Sequence, residues 1–144
     1  MNISIKILPK DQILSIIPLM MEYTENKIDQ VVLEERFQEM AAQNYECAVL
    51  YDEDKLIGIA GMWFMTRHYA GKSMEPDHVY ITKKYQRKGL GKQFFKWMHE
   101  YAKSKGCNSS ELNTYVENYP SHKFYYNEGY EIYGYHFYKN LKSK

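Results

Sequence analysis

A short turn at residues 81–92 constrains the fold most, because it joins the end of an alternating apolar segment to the start of an amphipathic helix. Gly89 and Gly91 lie where this helix begins. Three cations lie beside them, namely Arg87, Lys88 and Lys92. The first turn of a helix has backbone N–H groups without intrahelical partners and carries the positive end of the helix dipole. Glycines let a phosphate approach these amides, so the turn predicts an anion site.

Turns with two glycines also occur in proteins without any bound ligand. A solvated basic turn, whose glycines only satisfy backbone dihedral angles, is the commonest meaning of such a hexamer. A Walker phosphate loop requires glycine, four residues and then Gly-Lys-Ser/Thr, and the chain has no such run. The dinucleotide fingerprint G-x-G-x-x-G requires a third glycine, and Phe94 stands in its place. Both of these nucleotide motifs are therefore excluded.

Composition favours a globular chain, which we expect to form a single domain over residues 1–144. Its hydrophobic fraction of 44% and aromatic fraction of 16% are too high for a disordered segment. Nineteen basic and eighteen acidic side chains leave a formal charge of +1, without the excess expected of a nucleic-acid-binding protein. A nucleic-acid-binding domain is nevertheless an alternative, in which Lys83, Lys84 and Tyr85 act with the cations of the turn. Its affinity for nucleic acid would fall steeply with salt.

The amino-terminal residues and the cysteines favour a cytoplasmic location. No export signal is visible, and the longest apolar runs are far shorter than the roughly 20 residues that cross a bilayer. Cys47 and Cys107 lack the spacing of a zinc or redox site, so we expect two free thiols, with Cys47 in the core. His68, His122 and His136 are isolated and show no ligand spacing, so no metal is implied.

Hydrophobic periodicity predicts an α/β fold with a mixed central sheet of about seven strands and helices on both faces, in the order βααβββαβαββ. The predicted strands cover residues 3–7, 47–51, 56–64, 74–81 and 111–116, and a terminal hairpin over residues 130–139 that turns near Gly134. The predicted helices begin near Gln12 with Asp11 as cap and Pro18 as a kink or break, and cover residues 32–42, the stretch from the glycine turn to Gly106, and residues 121–127. Gly58 and Gly61 mark bulges or close contacts.

Two motifs together resemble the GCN5-related N-acetyltransferase (GNAT) superfamily. Its acyl-CoA signature, Gln/Arg-x-x-Gly-x-Gly/Ala, is matched by Gln86, Gly89 and Gly91. Its Asn-x-x-Ala-x-x-Phe-Tyr-x-x-x-Gly-Phe run is matched at Asn118, Phe124, Tyr125 and Gly129, with Tyr130 as an aromatic equivalent and Ser121 in place of alanine. The order of elements is also similar to the family fold over essentially the whole chain.

The resemblance implies an acetyl-CoA-dependent N-acetyltransferase that acts on a primary amine of a small molecule or peptide by direct attack in a ternary complex. The implied pyrophosphate site is the backbone after Gln86, that is Arg87, Lys88, Gly89, Leu90, Gly91 and Lys92. The implied pantetheine site is the end of the fourth strand, Val79, Tyr80 and Ile81, where we expect the sheet to splay. Asn118 would touch the cofactor. A catalytically silent acyl-CoA-binding module is the alternative function.

Acetyl transfer needs a neutral amine, stabilisation of the carbonyl oxygen and a proton for the leaving thiolate. The resemblance makes Tyr125 the candidate acid, against the alternative that it packs a sheet. A backbone N–H near Tyr80 is expected to meet the oxyanion. Glu75 is the candidate base, directly or through water, against a solvated carboxylate at a turn. Strand alternation places Glu75 and Asp77 on the face opposite His78.

Substrate recognition is constrained least by the sequence. Glu22, Glu25 and Asp29 would share one face if their helix continued, and they could then attract a cationic amine, although a solvated face explains them as well. An acceptor pocket could be lined by Trp63 with its neighbours Met62, Phe64 and Met65 and with Tyr69. Such aromatic and apolar groups are more often part of a core or of a dimer surface. A homodimer is common among similar proteins.

Overall fold

The computed structural model describes residues 1–142 of the chain, so the last two residues of the predicted domain lie outside the description. The chain forms two compact units, Met1–Leu112 and one that begins at Asn113. The first unit contains β1 (Ile3–Ile7), α1 (Ile17–Tyr23), α2 (Gln30–Ala41), β2 (Tyr45–Asp52), β3 (Lys55–Arg67), β4 (Gly71–Ile81), α3 (Leu90–Ser104) and β5 (Ser109–Ser110). The second contains α4 (Tyr119–Asn127), and short 3-10 helices at Lys10–Ile16 and Lys83–Tyr85 precede α1 and α3.

The first unit is built around one mixed sheet with the strand order β1-β2-β3-β4-β5. The pairs from β1 to β4 are antiparallel, and β5 joins β4 in parallel. The β2–β3 connection consists of Glu53 and Asp54, and Glu53 has a positive φ of 52°. This short turn confirms the hairpin that the sequence predicts.

Strand β2 lies between β1 and β3, and its consecutive apolar residues are buried on both faces of the sheet. Cys47 and Val49 pack with apolar residues of α1 and α2, whereas Ala48 and Leu50 pack with those of α3. The predicted pattern of helices on both faces is therefore confirmed. Cys47 and Cys107 are both free, and burial raises the pKa of the Cys47 thiol to about 12, which makes it an inert core residue.

The amino-terminal helix differs from the prediction. Asp11 does not cap it, because Asp11 lies inside the first turn of the 3-10 helix, which Pro9 precedes. Pro18 occupies the first turn of α1, where its missing N–H costs no intrahelical hydrogen bond. The helix ends at Tyr23, and Glu25 and Asn26 follow with positive φ values of 54° and 60°.

The sheet has five strands instead of seven. The predicted strand over 111–116 is wrong, because β5 ends at Ser110 after two paired residues. The terminal hairpin is also wrong. Gly134 does not have the positive φ that a tight hairpin turn requires, and residues 130–141 run without a bend or an assigned strand. No helix within residues 1–142 is long and apolar enough to cross a bilayer.

Candidate functional site

The sheet of the first unit opens along one side of β4. Strand β5 pairs with β4 only at Ser73 and Met74, and the Glu111 N–H adds one hydrogen bond of 3.1 Å to the Met74 carbonyl. On that side, residues 76–81 of β4 have no partner strand in the described part of the chain. The edge includes Val79, Tyr80 and Ile81, which the family resemblance assigns to the pantetheine arm. Unpaired strand groups of this kind can accept an extended ligand as an additional strand.

A β-bulge shapes the same stretch of β4. Ile59 pairs with Tyr80 and Gly61 pairs with Asp77, so two residues of β4 oppose the single residue between them on β3. His78 is one of the two, and its φ is +40°. A bulge interrupts alternation, and it turns His78 to the same face as Asp77. The prediction that Glu75 and Asp77 lie opposite His78 is therefore wrong.

His78 is buried in an aromatic group on the face that α2 covers. Its ring centroid lies 5.2 Å from that of Phe37 and 5.8 Å from that of Tyr45, and the Tyr45 hydroxyl lies 2.6 Å from His78 Nε2. Burial lowers the pKa of His78 to about 4 and raises the pKa of Tyr45. Gly61 makes room for the imidazole, because a Cβ at Gly61 would overlap the ring. Both strand glycines thus lie at register shifts, Gly58 against Leu50 and Gly61 against His78, as the sequence predicts.

Two carboxylates of β4 lie on the strand near Trp63 of β3. The Trp63 indole N–H donates to Asp77 Oδ2 at 3.0 Å, and the Trp63 ring lies 5.0 Å from that of Tyr45. Glu75 is half-buried and lies opposite Trp63 in the β3–β4 register. A hydrogen bond to Glu111 is the main cause that raises the pKa of Tyr69, and the negative charge of Glu75 adds to it.

The predicted acidic helix face does not form, because α1 ends at Tyr23. Glu22 alone turns toward β4, where its Oε1 accepts a hydrogen bond of 3.2 Å from the Tyr80 hydroxyl. Glu25 forms an ion pair of 3.2 Å with Lys27, and Asp29 is the residue that precedes α2. The structure thus brings Glu22 near Tyr80, whereas Glu25 and Asp29 follow the end of α1.

The glycine turn has the local geometry that the sequence predicts. The Gln86 side-chain amide donates to the Ile81 carbonyl at 2.7 Å, which ties the turn to the end of β4. Gly89 precedes α3 with φ 78° and ψ 7°, and no atom beyond its two chain neighbours lies within 4 Å of the point where its Cβ would stand. The first backbone hydrogen bond of the helix joins Gln93 N–H to Gly89 O at 3.3 Å. The backbone N–H groups of Leu90, Gly91 and Lys92 therefore have no hydrogen-bond acceptor within the helix.

Positive charge is concentrated around this helix start. The exposed cations of the stretch are Lys83, Lys84, Arg87, Lys88 and Lys92. None of the five forms an ion pair within residues 1–142. Arg87 has a φ of +62°, a left-handed conformation that is uncommon for a residue with a side chain. An anionic group such as a pyrophosphate fits this site. It would find open space at Gly89, backbone amides without an intrahelical hydrogen bond, and cations that form no ion pair.

The second motif lies in the second unit, around α4. Asn118 precedes the helix and is exposed, and its backbone oxygen accepts a hydrogen bond of 3.2 Å from the His122 N–H. Tyr125 lies in the last turns of α4, with its ring centroid 5.8 Å from Phe124 and 6.0 Å from Tyr130. Burial raises the pKa of the Tyr125 phenol. The phenol is therefore protonated at neutral pH, as a general acid must be.

Sequence reasoning missed the buried Tyr45–His78 pair and the Trp63–Asp77 hydrogen bond. Gly61 in the middle of an apolar strand was the one available signal, because glycine inside a strand marks a close approach or a bulge. Its partner could not be found by alternation, since the bulge itself breaks the period of two. Among residues 1–142, no group of three or more His, Cys, Asp or Glu residues could hold a metal ion.

The glycine turn and the second motif both lie inside a match to a known family. The model of the Acetyltransferase (GNAT) family matches residues 13–130. The chain belongs to the GNAT acetyltransferase family. It is therefore an enzyme of the N-acetyltransferase class, and the resemblance seen in the sequence is confirmed.

Solved structures share the fold of this GNAT protein. A possible acetyltransferase from Clostridium difficile 630 is 18% identical with a TM-score of 0.82, over 100% of both chains. AAC(6')-Iy, in complex with the bisubstrate analog CoA-S-monomethyl-acetylneamine, is 15% identical with a TM-score of 0.82, over 99% of this chain and 100% of that one. Ribosomal-protein-alanine N-acetyltransferase from Brucella melitensis biovar Abortus 2308 is 15% identical with a TM-score of 0.81, over 98% of this chain and 100% of that one.

Proposed function

We propose that this GNAT protein transfers an acetyl group from acetyl-CoA to a primary amine of a small molecule or peptide, by direct attack in a ternary complex. The observation that carries the proposal is the connection between the open edge of β4 and the glycine turn. The Gln86–Ile81 hydrogen bond of 2.7 Å holds these two features together at the end of β4. The open edge suits an extended polar chain and the turn suits an anion, which matches the two parts of coenzyme A.

The proposed donor site uses backbone groups more than side chains. The amides from Arg87 to Lys92 would hold the pyrophosphate, and the free cations around them would add charge. Residues Val79, Tyr80 and Ile81 would pair with the pantetheine amides along the open edge of β4. A backbone N–H near Tyr80 would stabilise the charge that develops on the carbonyl oxygen. We also assign Asn118 to the cofactor site, as its place in the second motif implies.

The acetyl donor supplies an activated thioester. The protein supplies the groups that remove a proton from the amine and deliver one to the leaving thiolate. A bond forms between the amine nitrogen and the acetyl carbon, and the bond from that carbon to sulfur breaks. The amine loses one proton and the leaving thiolate gains one. We assign the thiolate proton to Tyr125, since its raised pKa keeps the phenol protonated until the sulfur accepts the hydrogen.

We retain Glu75 as the proposed base that receives the proton of the amine, directly or through water. It is half-buried on β4, near the open edge of the strand. Asp77 is the competing carboxylate, because it is exposed and already oriented by the Trp63 indole. Glu75→Gln and Asp77→Asn separate the two, since loss of the base removes the acidic limb of the pH profile of kcat/KM.

The proposed acceptor is a cationic amine. Glu22, Asp77 and Trp63 offer two carboxylates and an aromatic ring on the side of β4 that faces α1 and α2. Such a group attracts an ammonium ion and provides a surface for its carbon skeleton. Glu25 and Asp29 follow the end of α1, and we propose them as further acids that could attract the substrate. Two of the solved relatives are named for an acetylneamine analog and for a ribosomal-protein alanine, and both of these contain amines.

Thermal unfolding with acetyl-CoA, with CoA and without ligand tests the proposal. A ligand that binds only the folded state raises the midpoint by mass action, so both thiol compounds should stabilise the protein. Release of CoA thiol is then followed with a panel of polyamines, aminoglycosides, amino acids and lysine peptides. No shift at saturating acetyl-CoA would contradict the proposed donor. A shift without thiol release on any amine would instead favour the silent binding module.

We also propose that both units belong to one N-acetyltransferase domain, because the family match runs from residue 13 to residue 130. A cytoplasmic location stays a prediction from the sequence.

A further inference from the structure

The short 3-10 helix Lys83–Tyr85 lies between the end of β4 and the glycine turn, and hydrogen bonds on both of its sides fix it to the sheet. Just before it, the Thr82 N–H donates to the Ile57 carbonyl of β3 at 2.9 Å. Just after it, the Gln86 side chain donates to the Ile81 carbonyl at the end of β4. The glycine turn therefore starts from a support that two neighbouring strands hold in place.

Tyr85, the last residue of this 3-10 helix, connects it to a third strand. Its hydroxyl donates to Asp52 Oδ2 at 2.8 Å, and Asp52 is the last residue of β2. The other carboxylate oxygen of Asp52 accepts a hydrogen bond of 3.0 Å from the Asn2 N–H. Hydrogen bonds from Asn2 and from Tyr85 lower the pKa of Asp52, so the carboxylate is ionised at neutral pH. A hydrogen bond to an ionised acceptor is stronger than one between neutral groups.

The ring of Tyr85 is held as well as its hydroxyl. The Lys55 ammonium lies 5.8 Å from the centroid of the Tyr85 ring, which is within the range of a cation–π contact. Lys55 is the first residue of β3, so Lys55 and Asp52 approach Tyr85 from the two strands of the β2–β3 hairpin. The ring also packs, half-buried, against the apolar core that includes residues of α3. Three separate contacts therefore define the position of this one side chain.

The backbone that follows Tyr85 has a conformation that requires support. Arg87 has a φ of +62°, which is strained for a residue with a side chain. Strain of this kind persists where the surrounding structure fixes the backbone. Tyr85 and Gln86 are the two residues before Arg87, and hydrogen bonds join both side chains to the sheet. These two residues therefore fix the point from which the glycine turn and the start of α3 follow.

We propose that Tyr85 is a positioning residue for the donor site, because its hydrogen bond to Asp52 holds the backbone N–H groups from Arg87 to Lys92 in the arrangement that receives the pyrophosphate. The inference rests on the proposed function, since it concerns the same acetyl-CoA. Tyr85 acts through the backbone and takes no part in acetyl transfer. Loss of its hydroxyl lowers the fraction of molecules whose turn is ready to bind, and the apparent Kd rises in inverse proportion to that fraction.

Isothermal titration calorimetry of the whole protein with acetyl-CoA tests this role. Tyr85→Phe removes only the hydroxyl and should raise the Kd about three- to tenfold. Asp52→Ala should have a similar effect in the wild type and little further effect in the Tyr85→Phe background, because both changes remove the same hydrogen bond. With an acceptor amine, the KM for acetyl-CoA should rise in Tyr85→Phe while kcat stays that of the wild type.

Tyr101→Phe is the matched control. Tyr101 is also half-buried, and its hydroxyl donates to Glu46 Oε1 of β2, but it lies in the last turn of α3, at the opposite end from the glycine turn. Each of the two phenylalanine variants loses one tyrosine–carboxylate hydrogen bond to β2, so both should lower the thermal unfolding midpoint. Only Tyr85→Phe should change the Kd for acetyl-CoA, whereas a purely structural role would change stability alone.

Limited proteolysis without ligand measures the glycine turn directly. Trypsin cleaves after Arg87 and Lys88, and cleavage of a folded protein follows the population of its locally opened form. Mass spectrometry of the fragments should show cleavage at these two positions at least about threefold faster in Tyr85→Phe than in Tyr101→Phe. This measurement does not depend on acetyl-CoA.

Three results would overturn the inference. Equal Kd values for Tyr85→Phe and Tyr101→Phe, in a protein that binds acetyl-CoA, would remove Tyr85 from the donor site and leave the proposed donor in place. Equal rates of cleavage after Arg87 and Lys88 would show that the Tyr85 hydroxyl does not hold the turn. A wild type that does not bind acetyl-CoA would contradict the proposed donor itself, and the positioning role would fall with it.

Discussion

The hydroxyl of Tyr45 and Nε2 of His78 lie 2.6 Å apart in the interior of the first unit. Burial raises the pKa of the phenol and lowers the pKa of the imidazole, so both groups are neutral and the hydrogen bond between the hydroxyl and the ring nitrogen joins two uncharged groups. The pair connects β2 to the bulge of β4, beside the edge where we place the pantetheine arm. A buried hydrogen bond thus supports the backbone that shapes the proposed donor site.

The burial of His78 predicts that acid destabilises the protein. The pKa of His78 is about 4 in the folded chain, whereas an unfolded histidine has a pKa of about 6.5. Between these values the unfolded state binds more protons, so the free energy of unfolding rises with pH in this range and falls on acidification. We expect His78 to contribute a loss of about 2 kcal/mol between pH 7 and pH 5.

Urea unfolding of the wild type and of His78→Gln at both pH values measures this contribution. Glutamine has both a donor and an acceptor for a hydrogen bond to the Tyr45 hydroxyl, but it does not titrate. The other histidines are common to both proteins, so the difference between their pH dependences isolates His78. The same loss of stability in both proteins would show that His78 is not the titrating group.

Helix α3 and its glycine turn were predictable because their signals are local. Leu90, Phe94, Met98 and Ala102 recur every four residues and pack on one face of the sheet. Gly106 ends the helix with a φ of +84°. The residues that determine this helix therefore lie close together in the sequence, so a short window is enough to predict it. The predicted phosphate turn lies at the start of the same helix.

Strands that depend on distant partners were predicted less well. Residues 111–116 and 130–139 have the composition of strands, but a strand exists only where another one pairs with it. The Glu111 carboxylate accepts hydrogen bonds from Arg67 Nε at 2.9 Å and from the Tyr69 hydroxyl at 2.6 Å, just after β5 ends. Contacts of this kind join residues more than 40 positions apart, and periodicity gives no indication of them.

Gly61→Ala should destabilise the protein through His78. A Cβ at Gly61 would overlap the imidazole, so the ring must move and its hydrogen bond to Tyr45 must lengthen or break. We expect a loss of about 2 kcal/mol or more, as for an overpacked core. In a His78→Ala background the ring is absent, and the same substitution should cost much less.

A double-mutant cycle by urea unfolding measures this coupling between positions 61 and 78. Additive losses in the cycle would contradict the proposed close packing of Gly61 and His78.

Gly89→Ala should weaken binding of acetyl-CoA. Gly89 has a φ of 78°, so a side chain is strained there, and its Cβ would enter the open space in which we place the pyrophosphate. Gly106→Ala is a matched control, because Gly106 has a φ of 84° and equally open surroundings at the other end of α3. Each substitution should lower stability by about 1 kcal/mol.

Only the change at position 89 should raise the Kd for acetyl-CoA, which isothermal titration calorimetry measures. Equal effects of the two variants on the Kd would remove the glycine turn from the donor site.

Tyr125→Phe should lower kcat with little change in affinity for acetyl-CoA. The substitution keeps the ring and removes only the hydroxyl that we assign to protonation of the thiolate. A positioned general acid contributes about 100-fold or more, so a loss of this order is expected once an acceptor amine is known. Tyr126→Phe is the matched control, because Tyr126 is the next residue of α4 and its side chain is exposed. That variant should retain wild-type turnover.

The two variants also separate catalysis from packing, since Tyr125 packs beside Phe124 and Tyr130 whether or not it transfers a proton. A lost proton donor lowers kcat at unchanged thermal stability and an unchanged Kd for acetyl-CoA, whereas a packing defect lowers the unfolding midpoint first. The raised pKa of Tyr125 adds a further expectation, because turnover of the wild type should persist to a pH above the usual range of tyrosine ionisation. Turnover by Tyr125→Phe equal to that of Tyr126→Phe would exclude the phenol from the reaction.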